Sequence, residues 1–154
     1  MREIKFRAWD KVTRQFVTSF TMTSNGHIEL WVGDGSGKVR EPQDFDVLQY
    51  TGLKDKNGVE IYEGDLLRHY NGLINELYEV KWSSEDTCYT VKLQGRFIDP
   101  EMSDPYTDEQ IVQMQLTSDV KYLMVMYSLS AMSGEAEVIG NIYENPELLE
   151  KSND

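Results

Sequence analysis

Apolar and polar positions alternate along most of this chain with a period of two, the pattern of half-buried β-strands. Ile4, Phe6 and Ala8 alternate with Lys5, Arg7 and Trp9, and a β-rich run from Gln15 to Phe20 follows the turn formers Asp10-Lys11-Val12-Thr13. Residues 3–20 therefore read as a hairpin. His27 to Val32 reads as a further strand, and Phe45, Val47 and Tyr50 lead into another. Leu66 to Tyr70, Leu77 to Trp82 and Cys88 to Leu93 repeat the alternation, with Asn71-Gly72 and the polar stretch 83–87 between them and Gly95 as a bulge or strand end. Short strands at this spacing, joined by glycine turns, are what a small antiparallel barrel needs to close its edges.

Turn chemistry is densest from Gln49 to Leu66. Asp55-Lys56-Asn57-Gly58 reads as a tight reversal with Gly58 at positive φ, and Glu63-Gly64-Asp65 as a second turn that launches the next strand. The simplest role for Asp65 there is to accept backbone N–H bonds. Downstream the period changes. Residues 99–110 hold Pro100 and Pro105 among Asp99, Glu101, Asp104, Asp108 and Glu109, an acidic insertion without the ligand order of a calcium loop. No metal is assigned to it. Val120, Leu123, Met124 and Tyr127 fall at i, i+3, i+4 and i+7, which predicts a short helix over 118–130, with a strand as the alternative. Val138 to Tyr143 reads as the closing strand. Asn145, as cap, and Pro146, at the first helical position, open a C-terminal helical turn.

The fold class that results is mainly β: an N-terminal β region over 1–60 and a small barrel over 61–150, the two packing as separate units or as one. At 154 residues the chain can bury a core without staples, and the single cysteine, Cys88, permits no intrachain disulfide. The N-terminus lacks a signal-peptide run, and no apolar stretch is long enough to span a bilayer, so no membrane association and a cytoplasmic location are expected.

Three stretches carry a family resemblance: Met1-Arg2-Glu3-Ile4-Lys5-Phe6-Arg7-Ala8-Trp9-Asp10; Leu48-Gln49-Tyr50-Thr51-Gly52-Leu53-Lys54-Asp55-Lys56-Asn57-Gly58 with Ile61-Tyr62-Glu63-Gly64-Asp65; and Val138-Ile139-Gly140-Asn141-Ile142-Tyr143-Glu144-Asn145-Pro146-Glu147-Leu148. Together and in this order they resemble the YopX family. The resemblance implies a phage or prophage protein whose β-rich fold contains a small SH3-like barrel. It carries over no catalytic residue, and the insertion at 99–110 departs from the family pattern.

Net charge is −12, which argues against nonspecific nucleic-acid binding by the whole surface. Residues 1–14 are nevertheless net +3, from Arg2, Lys5, Arg7, Lys11 and Arg14 against Glu3 and Asp10. A basic edge thus sits on an acidic body. Gly33-Asp34-Gly35-Ser36-Gly37-Lys38 fails as a phosphate loop, since Val32 and Val39 stand where glycine and a hydroxyl residue are required. The two histidines, His27 and His69, lie in predicted strands outside any nucleophile motif, and neither a catalytic residue nor a cofactor is expected. The expectation is a noncatalytic module that binds a protein, with Tyr62, Tyr70, Tyr78 and Trp82 as groove-lining aromatics. Two alternatives stand beside it: a nucleic-acid site on Lys5, Arg7 and Trp9, and an acidic surface that imitates DNA. Homo-oligomerisation is compatible with each.

Overall fold

A computed structural model of the chain describes residues 3–17, 19–24, 28–30, 38–40, 42–70, 75–97 and 129–150. The loop 33–37, the Asn71-Gly72 turn, the acidic insertion at 99–110 and nearly all of the predicted 118–130 helix lie outside the described residues. The strands are β1 (Phe6–Asp10), β2 (Gln15–Val17), β3 (Phe20–Met22), β4 (Ile28–Leu30), β5 (Lys38–Arg40), β6 (Phe45–Lys54), β7 (Glu60–Tyr62), β8 (Asp65–Tyr70), β9 (Asn75–Ser83), β10 (Cys88–Phe97) and β11 (Glu137–Asn141). Two short helices follow the same order, α1 (Leu129–Met132) and α2 (Glu147–Glu150). The chain is mainly β, as its periodicity requires.

Pairing is antiparallel throughout the described strands. One sheet runs β2-β1-β6-β7, a second runs β10-β9-β8-β11, and β3-β4-β5 form a small third. The second sheet curls into a half-barrel. One face of it carries the main core, where Leu67, Tyr78, Val80 and Val91 meet Leu129, Met132 and Ala136. Gly95 marks the expected bulge: the β9–β10 register shifts between Leu93 and Gly95.

The two halves are joined at the turn-rich stretch. β7 pairs with β6 in the first sheet, yet Ile61 is buried in the core of the second. A division at residue 60/61 falls inside that strand. Asp55 holds the preceding reversal: its Oδ1 accepts the N–H groups of Asn57 and Val59, both at 2.8 Å. Its Oδ2 accepts the Val138 N–H of β11 at 2.9 Å. One buried carboxylate thus ties the local turn to a strand more than eighty residues away. Gly58 sits at φ 83° and Gly64 at φ 79°, the left-handed region expected of both turns.

β1 departs from its predicted single apolar face. Ile4 is exposed, whereas Ala8, Trp9 and Asp10 are all buried. The cause is distant in sequence: Tyr143, from the last signature stretch, stacks on the Trp9 ring at 5.3 Å, and Phe16 meets it edge-on at 5.1 Å. Both faces of β1 are therefore covered at this end. At the C-terminus the helical turn forms, but Asn145 serves it differently from the expected cap. Its side-chain Oδ1 turns back to accept the Asn141 N–H at 3.3 Å, while its backbone carbonyl accepts from Leu148.

Candidate functional site

The Glu63-Gly64-Asp65 turn joins β7 to β8 and sends its two carboxylates to different partners: Asp65 to Arg7, Glu63 to a cleft. The Glu63 N–H donates to the Gln49 carbonyl of β6, the Gly64 N–H donates to Val80 of β9, and the Gly64 carbonyl accepts from Ile142. Three segments are thereby fixed to one tripeptide. Asp65 turns inward to Arg7, and Glu63 lines an open cleft.

On the inward side Arg7 Nη2 lies 2.5 Å from Asp65 Oδ1, with the carboxyl 1 % exposed. Asp65 Oδ2 accepts the Tyr62 N–H at 2.7 Å, as expected for this turn. The guanidinium is flanked by the rings of Tyr62 and Phe16, at 4.3 and 4.8 Å, distances at which the ring faces attract a cation. Burial pushes the Asp65 carboxyl above its ordinary range, against the opposing pull of Arg7 and the Tyr62 N–H. Alongside, Lys5 bonds Glu60 at 2.5 Å and Glu3 at 3.0 Å, and the Tyr62 hydroxyl donates to Glu60 at 2.9 Å. The Lys5 ammonium draws the Glu60 carboxyl below its usual value. This is a closed lock between β1 and the β7–β8 turn.

On the other side a cleft of about 310 Å³ is lined by residues of β6 and β9 together with Glu63 and Gly64. Asp46, Glu63, Glu79, Lys81, Trp82 and Tyr143 line it. Most of these groups are already engaged. Asp46 pairs with Lys11 at 2.8 Å, and Glu79 pairs with Lys81 at 3.1 Å and accepts from Gln94. Burial, with the Asp46 carboxylate beside it, pushes the Tyr143 hydroxyl up to about 12, so it stays a protonated donor. Two groups remain: among the described residues neither the Glu63 carboxylate nor the Trp82 indole N–H has a hydrogen-bond partner. Trp82 is 46 % exposed and is braced from the side by Tyr89 at 5.1 Å.

The aromatics expected in one groove are distributed over four places. Tyr62 lies against Arg7, Tyr78 is in the half-barrel core with its hydroxyl on Glu76, Trp82 walls the cleft, and Tyr70 is exposed at the far end of β8. Tyr70 pairs with Asn75, seven residues along β9 from Trp82, which at about 3.4 Å per residue separates their strand positions by about 24 Å. Of the basic set, Lys5 and Arg7 are internally paired and Trp9 is buried under Tyr143, so the three form no stacking surface. A groove of about 700 Å³ runs past Lys5, Arg7, Phe16 and Phe20, but its cations are those already bound to Glu60 and Asp65. Asp46, Glu79, Lys81 and Tyr143 escaped notice because nothing local links them. Of the lining residues, Trp82 was among the expected aromatics and Glu63 carried a signal through its place beside Gly64. His69 sits 3.7 Å from Glu76 and 3.3 Å from Glu135, and no three metal-ligating side chains converge among the described residues. No helix among them is long and apolar enough to cross a membrane.

Comparison with known proteins agrees with the sequence resemblance. A family model described as YopX protein matches residues 5–150, so the chain belongs to the YopX family. Among solved structures, the crystal structure of protein EF1440 from Enterococcus faecalis is similar, with a TM-score of 0.53 and 24 % identity, over 97 % of this chain and 99 % of that one. At that identity the likeness speaks for the fold alone. No match was found among curated proteins.

Proposed function

We propose that this member of the YopX family is a noncatalytic phage or prophage accessory protein that binds a partner protein through the cleft between β6 and β9. The observation that carries the reading is Trp82. A half-exposed indole, its N–H without a partner among the described residues, lines a concavity together with Gly64 and Val80, whose backbones are hydrogen-bonded to each other. Tryptophan, with tyrosine and arginine, is enriched among the few residues that dominate binding energy at protein interfaces. A noncatalytic role is supported by the state of the ionisable groups. Asp65 and Asp55 are buried and bonded within the fold, and Glu137 is held by Lys56 and Arg68. The nucleic-acid alternative has lost its stacking residue to the Trp9–Tyr143 pair.

The test is a photo-crosslinking amino acid placed at Trp82, at Trp9 and at Tyr70 in the full chain inside bacterial cells. A discrete adduct from position 82 alone, whose purified partner then binds wild-type protein but not Trp82→Ala, is the expected result. Adducts from position 9 or 70 with none from 82 would refute the reading.

A further inference from the structure

We propose that the cleft selects an extended, cationic segment of its partner, seating one Arg or Lys side chain against Glu63 while the adjoining backbone lies along the Trp82 indole. The inference rests on the cleft being the docking surface, and it adds the chemistry of the occupant. Charge complementarity favours such an occupant. Three carboxylates and one ammonium line the cleft, and Lys81 is spent on Glu79, 3.1 Å away. Asp46 is spent on Lys11. Among the described residues Glu63 is the lining carboxylate without a cation, so the charge that complements the cleft is positive. An anionic segment would meet Glu63, Asp46 and Glu79 with Lys81 already occupied, and like charges at short range repel in a partly enclosed site.

The unmet donor sets the backbone. The Trp82 N–H, without a partner among the described residues and open to solvent, can exchange water for a ligand carbonyl, and an extended or polyproline-type chain leaves its carbonyls unpaired while presenting a flat face to an indole. A helical ligand would have its carbonyls bonded internally along all but its last turn. An extended chain also fits the position of the site. The cleft lies across the seam of the two sheets, bounded by β6 on one side and β9 on the other.

The test is calorimetric titration of the full chain with three capped octapeptides rich in proline and glycine, identical except for two central residues: Arg, Gln or Glu. The arginine peptide is expected to bind, the glutamine peptide roughly tenfold more weakly, and the glutamate peptide not measurably. Glu63→Gln, with its fold checked by circular dichroism, is expected to weaken the arginine peptide by about tenfold and to leave the glutamine peptide unchanged. Tyr70→Ala, at the far end of the half-barrel, is expected to change neither. Equal binding of all three peptides that is still lost in Trp82→Ala would overturn the cationic inference and leave the docking surface standing. Binding of no peptide, together with no adduct from position 82, would remove both.

Discussion

The molecule places an aromatic beside charge twice, on opposite sides of one tripeptide. At Asp65 the charge is buried, the cation is supplied by Arg7 of the same chain, and two rings close over it. At Glu63 the charge lines a cleft, its neighbours are occupied elsewhere, and the ring of Trp82 stands half in solvent. The same residue types therefore serve cohesion in one place and supply an open surface in the other. Composition cannot distinguish them; what distinguishes them is whether the fold provides the partner.

That contrast can be broken most forcefully at Arg7. Arg7→Met leaves Asp65 buried without its cation and should cost about 3–5 kcal/mol in urea denaturation at neutral pH. The loss should shrink as pH falls toward the ordinary carboxylate range, about pH 4, because protonation removes the unpaired charge. The double variant Arg7→Met/Asp65→Asn, which removes the charge and keeps an acceptor for the Tyr62 N–H, should recover most of the stability. A loss in Arg7→Met below about 1 kcal/mol would show that the lock is ornamental.

Next come the turns that set the two sides apart. Gly64→Val forces a β-branched residue to φ 79° with Ile142 and Tyr143 side-chain atoms 3.5 and 3.6 Å from the new Cβ. It should cost on the order of 1–3 kcal/mol. Gly58→Val meets open space, so only the backbone strain at φ 83° remains and the cost should fall at the lower end of that range. Equal melting of wild type and both variants would contradict the assigned turns.

The pH dependence of the wild type separates the carboxylates by sign. Burial alone would raise Asp55, but the N–H groups of Val138, Val59 and Asn57 outweigh it and hold it below 3.8. Its stabilisation is present above that ordinary value and is lost as pH falls through the lower folded value. Glu137, lowered chiefly by its bond from Lys56, behaves alike. Asp65 is opposite: its folded value is raised, so its charge is a penalty at neutral pH that is relieved as pH falls from the folded value toward 3.8. Asp55→Ala should therefore flatten the acid limb of the stability profile, measured by urea midpoints between about pH 2 and 5. An unchanged acid limb would remove Asp55 as the clasp.

The smallest effect belongs to the cleft. Trp82→Ala removes a half-exposed ring and one edge-on contact with Tyr89, and should cost about 1 kcal/mol or less. A loss comparable to that of Arg7→Met would make Trp82 a core residue.

Local features were legible in the sequence. Gly58, Gly64, the bulge at Gly95, the first hairpin and the role of Asp65 in its turn all follow from residue types with fixed conformational demands. The face of β1 was not legible beyond Phe6, because alternation says where side chains point and not what covers them. Trp9 is covered by a tyrosine 134 residues away. For the same reason Tyr78 resembled Trp82 in sequence. They lie four residues apart on one strand and one face, but α1 closes over the first and leaves the second. Asp46, Glu79 and Tyr143 meet only through tertiary structure.

The central claim is that the Arg7 side of the tripeptide is closed and the Glu63 side is open. It is tested most directly by assigned ¹H–¹⁵N spectra of the full chain titrated with the arginine octapeptide, following the indole N–H signals of Trp9 and Trp82 together. The account predicts saturable movement of the Trp82 signal with the Gly64 amide, while Trp9 stays in place. Movement of Trp9 with a stationary Trp82 would contradict it.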